Sequence, residues 1–451
     1  MARRYLIETF GCQMNFHDSE RMAGLLESAG YEPATDVADA DVVILNTCTV
    51  RERAEDKVVS RIGEIRVASE ELGREPLVAV AGCLAQQEGS TMFRRSPYVD
   101  VVVGTQAERR LPALVDEAFA TAHRQIDINP YDDLSFPLGI ARRYDAVKAY
   151  VTAIEGCNDF CAFCVVPLTR GHERMRPKAD ILAEVEQAAA SGHREVQLLG
   201  QIVNHYQAPD DPACDFAGLL NAVNAVDGVE RIRFASPHPR HVTPRMIDAI
   251  ATLPKVCKHL HLPVQSGSTR MLAAMRRRHT RDDYLGLVDQ LRSKAPGIQL
   301  STDVIVGFPG ETESDHADTL SLVDRVRFNS IFSFSYSERP GTLAAKRLRD
   351  DVPAAAKSRR LSELQGLQKG IQQSIHDAQV GECFDVLIDS VSRRRSTEVS
   401  GRTSGNTVVN LPGTADQLGC TVSVLIERAG PHSLWGRATK TSPGVVSRVM
   451  R

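Results

Sequence analysis

Through residues 1–125, short apolar runs alternate with stretches of helical period. Tyr5–Thr9, Val42–Asn46, Leu77–Ala81 and Val99–Val103 read as buried strands. Between the first two, Ser19–Ala29 carries Met22, Leu25, Leu26 and Ala29 at helical spacing, and Arg51–Leu72 and Ala107–His123 show the same period. Such alternation predicts a parallel sheet, hence a small doubly wound α/β domain over 1–125. Residues 126–142, with Pro130, Asp132, Asp133, Pro137 and Gly139 and no period, read as a linker. A longer series follows, with strands near 149–154, 195–200, 231–236, 258–264, 298–306 and 330–336 and helices such as Ala179–Ser191 and Asp315–Val326. Six strand-and-helix units predict an incomplete (βα)6 barrel over 143–375. Pro353–Ala378 sets Leu361, Leu364, Leu367, Ile371 and Ile375 on one helical face and leads out of it. From 376 to 440 the period becomes two, in Phe384–Ile388, Thr397–Ser400, Thr407–Leu411 and Thr421–Glu427. Those strands and their glycine turns predict a small β-barrel of oligonucleotide-binding (OB) type, followed by a tail over 441–451.

Composition adds little to this and excludes some classes. A chain of 451 residues with 42% hydrophobic content is long enough for several cores. Its net charge of -3 argues neither for nor against a polyanionic partner. From 376 onward nine basic residues face seven acidic ones, a slight local excess that includes Arg393, Arg394 and Arg395. No apolar leader follows Met1 and no 18-residue apolar run occurs, so the expectation is a cytoplasmic protein with no membrane role. Ten cysteines in that setting are ligands and core residues rather than disulfides.

The chemistry centres on Cys157, Cys161 and Cys164, spaced C-x3-C-x2-C in a loop after the first barrel strand. Three thiolates so placed can hold three irons of a cubane cluster and leave the fourth open to a small molecule. Structural zinc is the weaker reading, because a second paired set of ligands is missing. A thioredoxin-like pair would leave Cys157 unused. Cys12, Cys48 and Cys83 each lie just past the carboxyl end of a predicted strand. In an open parallel sheet those ends share one crevice, so three residues far apart in sequence predict a second three-cysteine site. Gly200, Gln201, Asn204, Ser236, His238, Gln265, Ser266 and Asp303 lie at barrel strand ends, where a common ligand pocket is expected.

The C-x3-C-x2-C loop resembles the radical S-adenosylmethionine (SAM) signature. With Cys12, Cys48 and Cys83 before it and a small β domain after it, the chain resembles the methylthiotransferase family of radical SAM enzymes. The stretches Thr9–Asn15 with Asp18-Ser19-Glu20, Asn46–Arg51, Cys164–Pro167 with Thr169-Arg170-Gly171, Ser236–Pro239 and His261–Ser268 match the branch acting on N6-isopentenyladenosine in tRNA. Gln13-Met14 stands where siblings acting on threonylcarbamoyladenosine or a ribosomal-protein aspartate carry other pairs; Leu168 and Ile202 depart from the branch pattern. The resemblance implies a [4Fe-4S] cluster on Cys157, Cys161 and Cys164 that reduces SAM to a 5′-deoxyadenosyl radical. It implies a second [4Fe-4S] cluster on Cys12, Cys48 and Cys83 that carries a methylated sulfur to C2 of the base. Gly200, Gln201, Ser236, Gln265 and Asp303 would contact SAM, and the last domain, similar to the TRAM module, would hold the tRNA anticodon arm. An electron donor such as flavodoxin or ferredoxin and an iron–sulfur carrier are implied partners, with the enzyme a monomer. The distant alternative is a non-catalytic iron–sulfur RNA-binding protein.

Overall fold

Six parallel strands open the chain: β1 Arg4–Phe10, β2 Glu32–Pro33, β3 Val42–Thr47, β4 Leu77–Gly82, β5 Val101–Val103 and β6 Gln125–Asp127, in spatial order β2-β1-β3-β4-β5-β6. The structure, a computed structural model, describes residues 2–49, 52–130, 139–392, 395 and 397–441. Every residue of β3 and β4 is buried, as a sheet covered on both faces demands. Side chains alternate between two cores. Val42 and Ile44 meet Met22, Leu26, Leu111 and Leu114 on one face, while Val43 and Leu45 meet Val58, Ile62 and Ile65 on the other. This is the expected doubly wound fold, with two corrections. The sheet takes in Ile126 and Asp127, where the linker was expected to begin, because β6 pairs with β5. The first helix starts at Gln13 rather than Ser19, since Cys12 caps it and the Cys12 N–H donates to Asn15 Oδ1 at 3.3 Å. Of the expected linker, residues 131–138 lie outside the described residues, as do Arg393, Arg394 and the tail from 442.

The central region contains β7 Lys148–Thr152, a short antiparallel pair β8 Ile154–Glu155 and β9 Arg174–Met175, then β10 Glu195–Leu199, β11 Arg231–Phe234, β12 His259–His261, β13 Gln299–Val306 and β14 Ser330–Ser335. The parallel strands run β7-β10-β11 and β12-β13-β14, joined where Ile232 bridges Val256. They make the expected incomplete six-stranded barrel. Val151, Val196, Leu198, Ile232, Leu260, Leu300 and Val304 pack outward in one large core. The alternate positions, among them Tyr150, Glu195, Arg233, His259, His261, Ser301 and Asp303, are polar and share the opposite face. Helix Gln13–Ser28 lies along β7, where His17 Nδ1 is 2.7 Å from Thr152 Oγ1. Gly24 lets the segment that leads into β7 cross the same helix closely, because a Cβ there would fall 1.5 Å from the Ile140 carbonyl oxygen. Helix Ala354–Asp377 packs across β14.

The last domain is a closed five-stranded barrel of β15 Cys383–Val391, β16 Glu398–Thr403, β17 Val408–Pro412, β18 Thr421–Ala429 and β19 Leu434–Thr441, ordered β15-β16-β17-β19-β18. Its fifth strand was not legible: Gly436 interrupts the apolar alternation. Cys383, expected in the core, is exposed at the start of β15. This barrel sits against the amino ends of the central strands. Arg233 donates to the Thr403 and Ser404 carbonyls at 2.7 and 3.1 Å, Arg231 donates to the Asp385 and Arg402 carbonyls, and Lys148 pairs with Asp389 at 2.5 Å.

Candidate functional site

The carboxyl ends of the central strands carry the C-x3-C-x2-C loop. Gly156 adopts φ +78, and a Cβ there would lie 2.1 Å from the His172 carbonyl oxygen, so only glycine admits the turn into Cys157. Phe160, at φ +49, holds a conformation bulky residues avoid. Asp159 N–H lies 3.5 Å from Cys157 Sγ, and Arg277 Nη1 lies 3.5 Å from Cys161 Sγ. Burial pushes the Cys157 thiol up to about 11 and Cys164 up to about 12, so the bare thiols hold their protons until a metal centre displaces them. Near the loop, Arg277 Nε and His279 Nε2 are buried without hydrogen-bond partners, and so is Gln201 Oε1 past β10. Burial, with Arg277 beside it, keeps His238 neutral. Orphaned polar atoms of this kind suit a polar ligand.

The expected strand-end residues divide by what they touch. Ser236 and Gln265 sit at φ +58 and +75, strained for side-chain-bearing residues, and Asp303 faces His261 Nε2 at 3.4 Å. Gly200 is closely packed, since a Cβ would come within 3.0 Å of Val203 Cα. Asn204 is satisfied by the His238 backbone, and Ser266 by Thr319 and Ser268.

Cys12, Cys48 and Cys83 follow β1, β3 and β4 and converge at the carboxyl edge of the first sheet. Below them, Asn15 and Asn46 are fully buried and interlocked: Asn15 Nδ2 donates to Asn46 Oδ1 at 3.2 Å and Asn46 Nδ2 to the Asn15 carbonyl at 2.7 Å. Gly82, at φ +88, leaves no room for a Cβ, which would lie 2.4 Å from Asn46 Oδ1. A hydrogen bond with Cys48 lowers the Cys12 thiol to about 6 against the cost of burial, and Arg170 adds to the effect; burial raises Cys83. Among the described residues, no three His, Cys, Asp or Glu side chains close around a single ion. A cubane puts each thiolate on its own iron and so takes a wider triangle.

Sequence reasoning assigned no role to the buried charges between these two cysteine sets. Asp18 accepts from both Arg21 and Arg170, Arg21 donates to Glu155 at 2.9 Å and lies 3.4 Å from Glu108, and Arg174 reaches Glu155 at 3.4 Å. Asp18 and Arg170 already stood in the matched stretches, which was the available signal.

Three family models match the chain: an uncharacterised protein family, UPF0004, over residues 4–104, the radical SAM superfamily over 151–323, and the TRAM domain over 377–439. Curated relatives match almost end to end. A Bordetella petrii protein is 45% identical over 440 residues, spanning 97% of this chain and 91% of its own; one from Pseudomonas syringae pv. syringae is 46% identical, spanning 97% and 99%. Both are named tRNA-2-methylthio-N(6)-dimethylallyladenosine synthase. The chain belongs to this family of radical SAM methylthiotransferases. Among solved structures, the radical SAM methyltransferase TsrM of Kitasatospora setae shares the fold at TM-score 0.57 and 14% identity, covering 85% of this chain and 77% of its own. OxsB, a cobalamin-dependent SAM radical enzyme, does so at 0.52 and 11%, covering 82% and 56%. The family is enzymatic, and among the described residues no helix is long and apolar enough to cross a membrane.

Proposed function

We propose that this enzyme transfers a methylthio group to C2 of N6-isopentenyladenosine beside the anticodon of tRNA, using SAM and two [4Fe-4S] clusters. The radical cluster belongs on Cys157, Cys161 and Cys164, the auxiliary cluster on Cys12, Cys48 and Cys83. The observation that carries the reading is that one segment, Thr169–Gly171, reaches both sets. The Gly171 carbonyl accepts from Cys157 N–H at 3.2 Å, and the preceding residue, Arg170, reaches the Cys83 and Cys12 thiols. A sulfur centre and a radical centre serving one carbon atom have to share a mouth.

When bound, the radical cluster and SAM supply a carbon radical able to take hydrogen from an aromatic C–H, which no side-chain acid or base can do. This chain's residues prepare that event. Asp159 N–H and the Arg277 guanidinium steady the thiolates as hydrogen-bond donors, and Gln201, Ser236, Gln265 and Asp303 offer polar groups to SAM. Helices on the outer face of the strands keep water from the closed side of the barrel. An anticodon-loop base can be splayed out and inserted singly, which a base in an RNA helix cannot. The TRAM domain would grip the arm, and a small redox protein of flavodoxin or ferredoxin type would deliver electrons.

The test is mass spectrometry of tRNA nucleosides from a strain lacking the gene, with and without this protein restored. The 2-methylthio nucleoside should return only with the protein. Return of a methylthiolated threonylcarbamoyladenosine instead would assign the enzyme to the sibling branch.

A further inference from the structure

Between the two cysteine sets lies one segment that reaches both. Thr169-Arg170-Gly171 leaves the cysteine loop and passes under the first domain, where Thr105 Oγ1 donates to the Thr169 carbonyl at 2.5 Å and Gln106 Nε2 to the Arg170 carbonyl at 3.0 Å. Gly171 then turns at φ +74, with no space for a Cβ, which would lie 2.4 Å from Gln106 Nε2. The backbone of this segment is therefore clamped by one domain while its next carbonyl fixes Cys157 in the other. The Arg170 side chain turns the opposite way, onto Asp18, which is wholly buried and also holds Arg21 at 2.8 Å. From that anchor its guanidinium lies beside Cys83 and Cys12, because the short helix Cys83–Glu88 packs against the turn Val166–Thr169 that ends at Arg170.

We propose that Arg170 is a positioning residue of the auxiliary site: its guanidinium, aimed by Asp18, supplies the positive charge against which the sulfurs at Cys83 and Cys12 are set. The proposal rests on the two-cluster reading above. An iron–sulfur cluster on three thiolates is a buried anion, and a buried anion needs a compensating cation and donors on its sulfurs. Arg170 is 4% exposed and Asp18 fully buried, so neither is explained as a solvated surface pair. Such a cation beside it makes the cluster easier to reduce. It would also orient the sulfur to be transferred, because the same residue is tied by its main chain to the loop that carries the radical chemistry. A purely structural bolt between domains would need only the Asp18–Arg21–Glu155 contacts, which do not reach a thiol.

The experiment starts from protein in which Cys157, Cys161 and Cys164 are Ala, leaving only the auxiliary cluster, reconstituted with iron and sulfide. Potentiometric titration followed by electron paramagnetic resonance should give a more negative midpoint in Arg170→Gln, with Arg170→Lys between it and the parent. In the mirror background, with Cys12, Cys48 and Cys83 replaced, the same substitution should leave the radical cluster's midpoint unmoved. In the otherwise intact enzyme, Arg170→Gln should keep SAM cleavage within twofold and lose methylthio product at least tenfold. Since Arg170→Gln leaves the buried Asp18 with Arg21 as its one remaining cation, the neutral pair Asp18→Asn with Arg170→Gln is the second variant, expected to show the same shift in soluble protein. An unchanged midpoint in an iron-loaded Arg170→Gln protein overturns this proposal alone. Absence of iron from the parent, with Arg170 intact, overturns the two-cluster reading and this proposal together.

Discussion

The C-x3-C-x2-C loop and the proposed auxiliary site would solve one problem, presenting three thiols to a cluster, in opposite ways. Cys157, Cys161 and Cys164 lie within one turn-rich loop, shaped by Gly156 and by the backbone of Cys161, whose carbonyl accepts from Cys164 N–H at 3.0 Å. Cys12, Cys48 and Cys83 are brought together only because β1, β3 and β4 are adjacent and in register, with Asn15 and Asn46 locked beneath them. A local site depends on a few dihedral angles and a dispersed site on the whole sheet. The former survives change elsewhere in the domain, and the latter inherits every perturbation of strand register.

The strongest way to separate the two is to remove each in turn. Replacing Cys157, Cys161 and Cys164 by Ala should abolish SAM cleavage and product while about half the iron remains. Replacing Cys12, Cys48 and Cys83 should also leave about half the iron but preserve formation of 5′-deoxyadenosine, without methylthio product. Loss of all iron from either soluble variant would point to one shared cluster.

Backbone strain offers a sharper contrast. Gly156→Ala forces a side chain into positive φ and against the His172 carbonyl, and Gly82→Ala does the same against Asn46 and Thr47. Each should cost about 3 kcal/mol or more at its site. The first is expected to deplete radical-cluster iron with little change in melting temperature of the first domain. The second should lower iron at Cys12, Cys48 and Cys83 and destabilise the first sheet as well. Iron analysis in the two single-cluster backgrounds, with calorimetry, distinguishes them.

Truncation near Ala378 has an intermediate effect. All six cysteines lie upstream, so iron content should hold, and the tRNA concentration needed for turnover should rise. Arg231, Arg233 and Lys148 would lose their partners on the last barrel, and a fall in melting temperature of about 5 °C is expected from loss of a few kcal/mol. Arg395, one of the three arginines in the basic run of that domain, is ion-paired to Glu398 at 2.8 Å, so Arg395→Ala should leave the salt dependence of tRNA binding nearly unchanged.

The smallest effect concerns the contact between domains. Burial raises the Glu20 carboxyl to about 7, although Arg143 opposes the shift. A carboxyl whose folded value lies above its unfolded one binds its proton more tightly when folded. Stability therefore falls as pH rises from about 4.5 to 7, and the penalty is complete above that window. Glu20→Gln should thus gain on the parent by about 1–3 kcal/mol between pH 5.5 and pH 8, read as a widening difference in melting temperature. An equal difference at both pH values would show that Glu20 is ionised throughout.

Much of the protein was determined by sequence alone, and the reason is periodicity and spacing. Buried parallel strands announce themselves as unbroken apolar runs such as Val42–Leu45, and a C-x3-C-x2-C loop carries its ligand geometry in eight consecutive residues. The crevice rule even foresaw that Cys12, Cys48 and Cys83 would meet, because every parallel strand points its carboxyl end the same way. Strands without a pattern were missed: Glu32–Pro33 is two residues long, and Leu434–Thr441 is interrupted by glycine. Only the tertiary structure decided where the domains touch. Asp18, Arg21, Glu155 and Arg170 form a buried ionic cluster across more than a hundred residues of chain, and no local preference marks a charge for burial until its partners arrive. The last barrel's seat on the amino ends of the central strands is of the same kind. Arg231 and Arg233 read in sequence as ordinary strand residues, and their role follows from alternation placing both on the polar side of a barrel that another domain then meets.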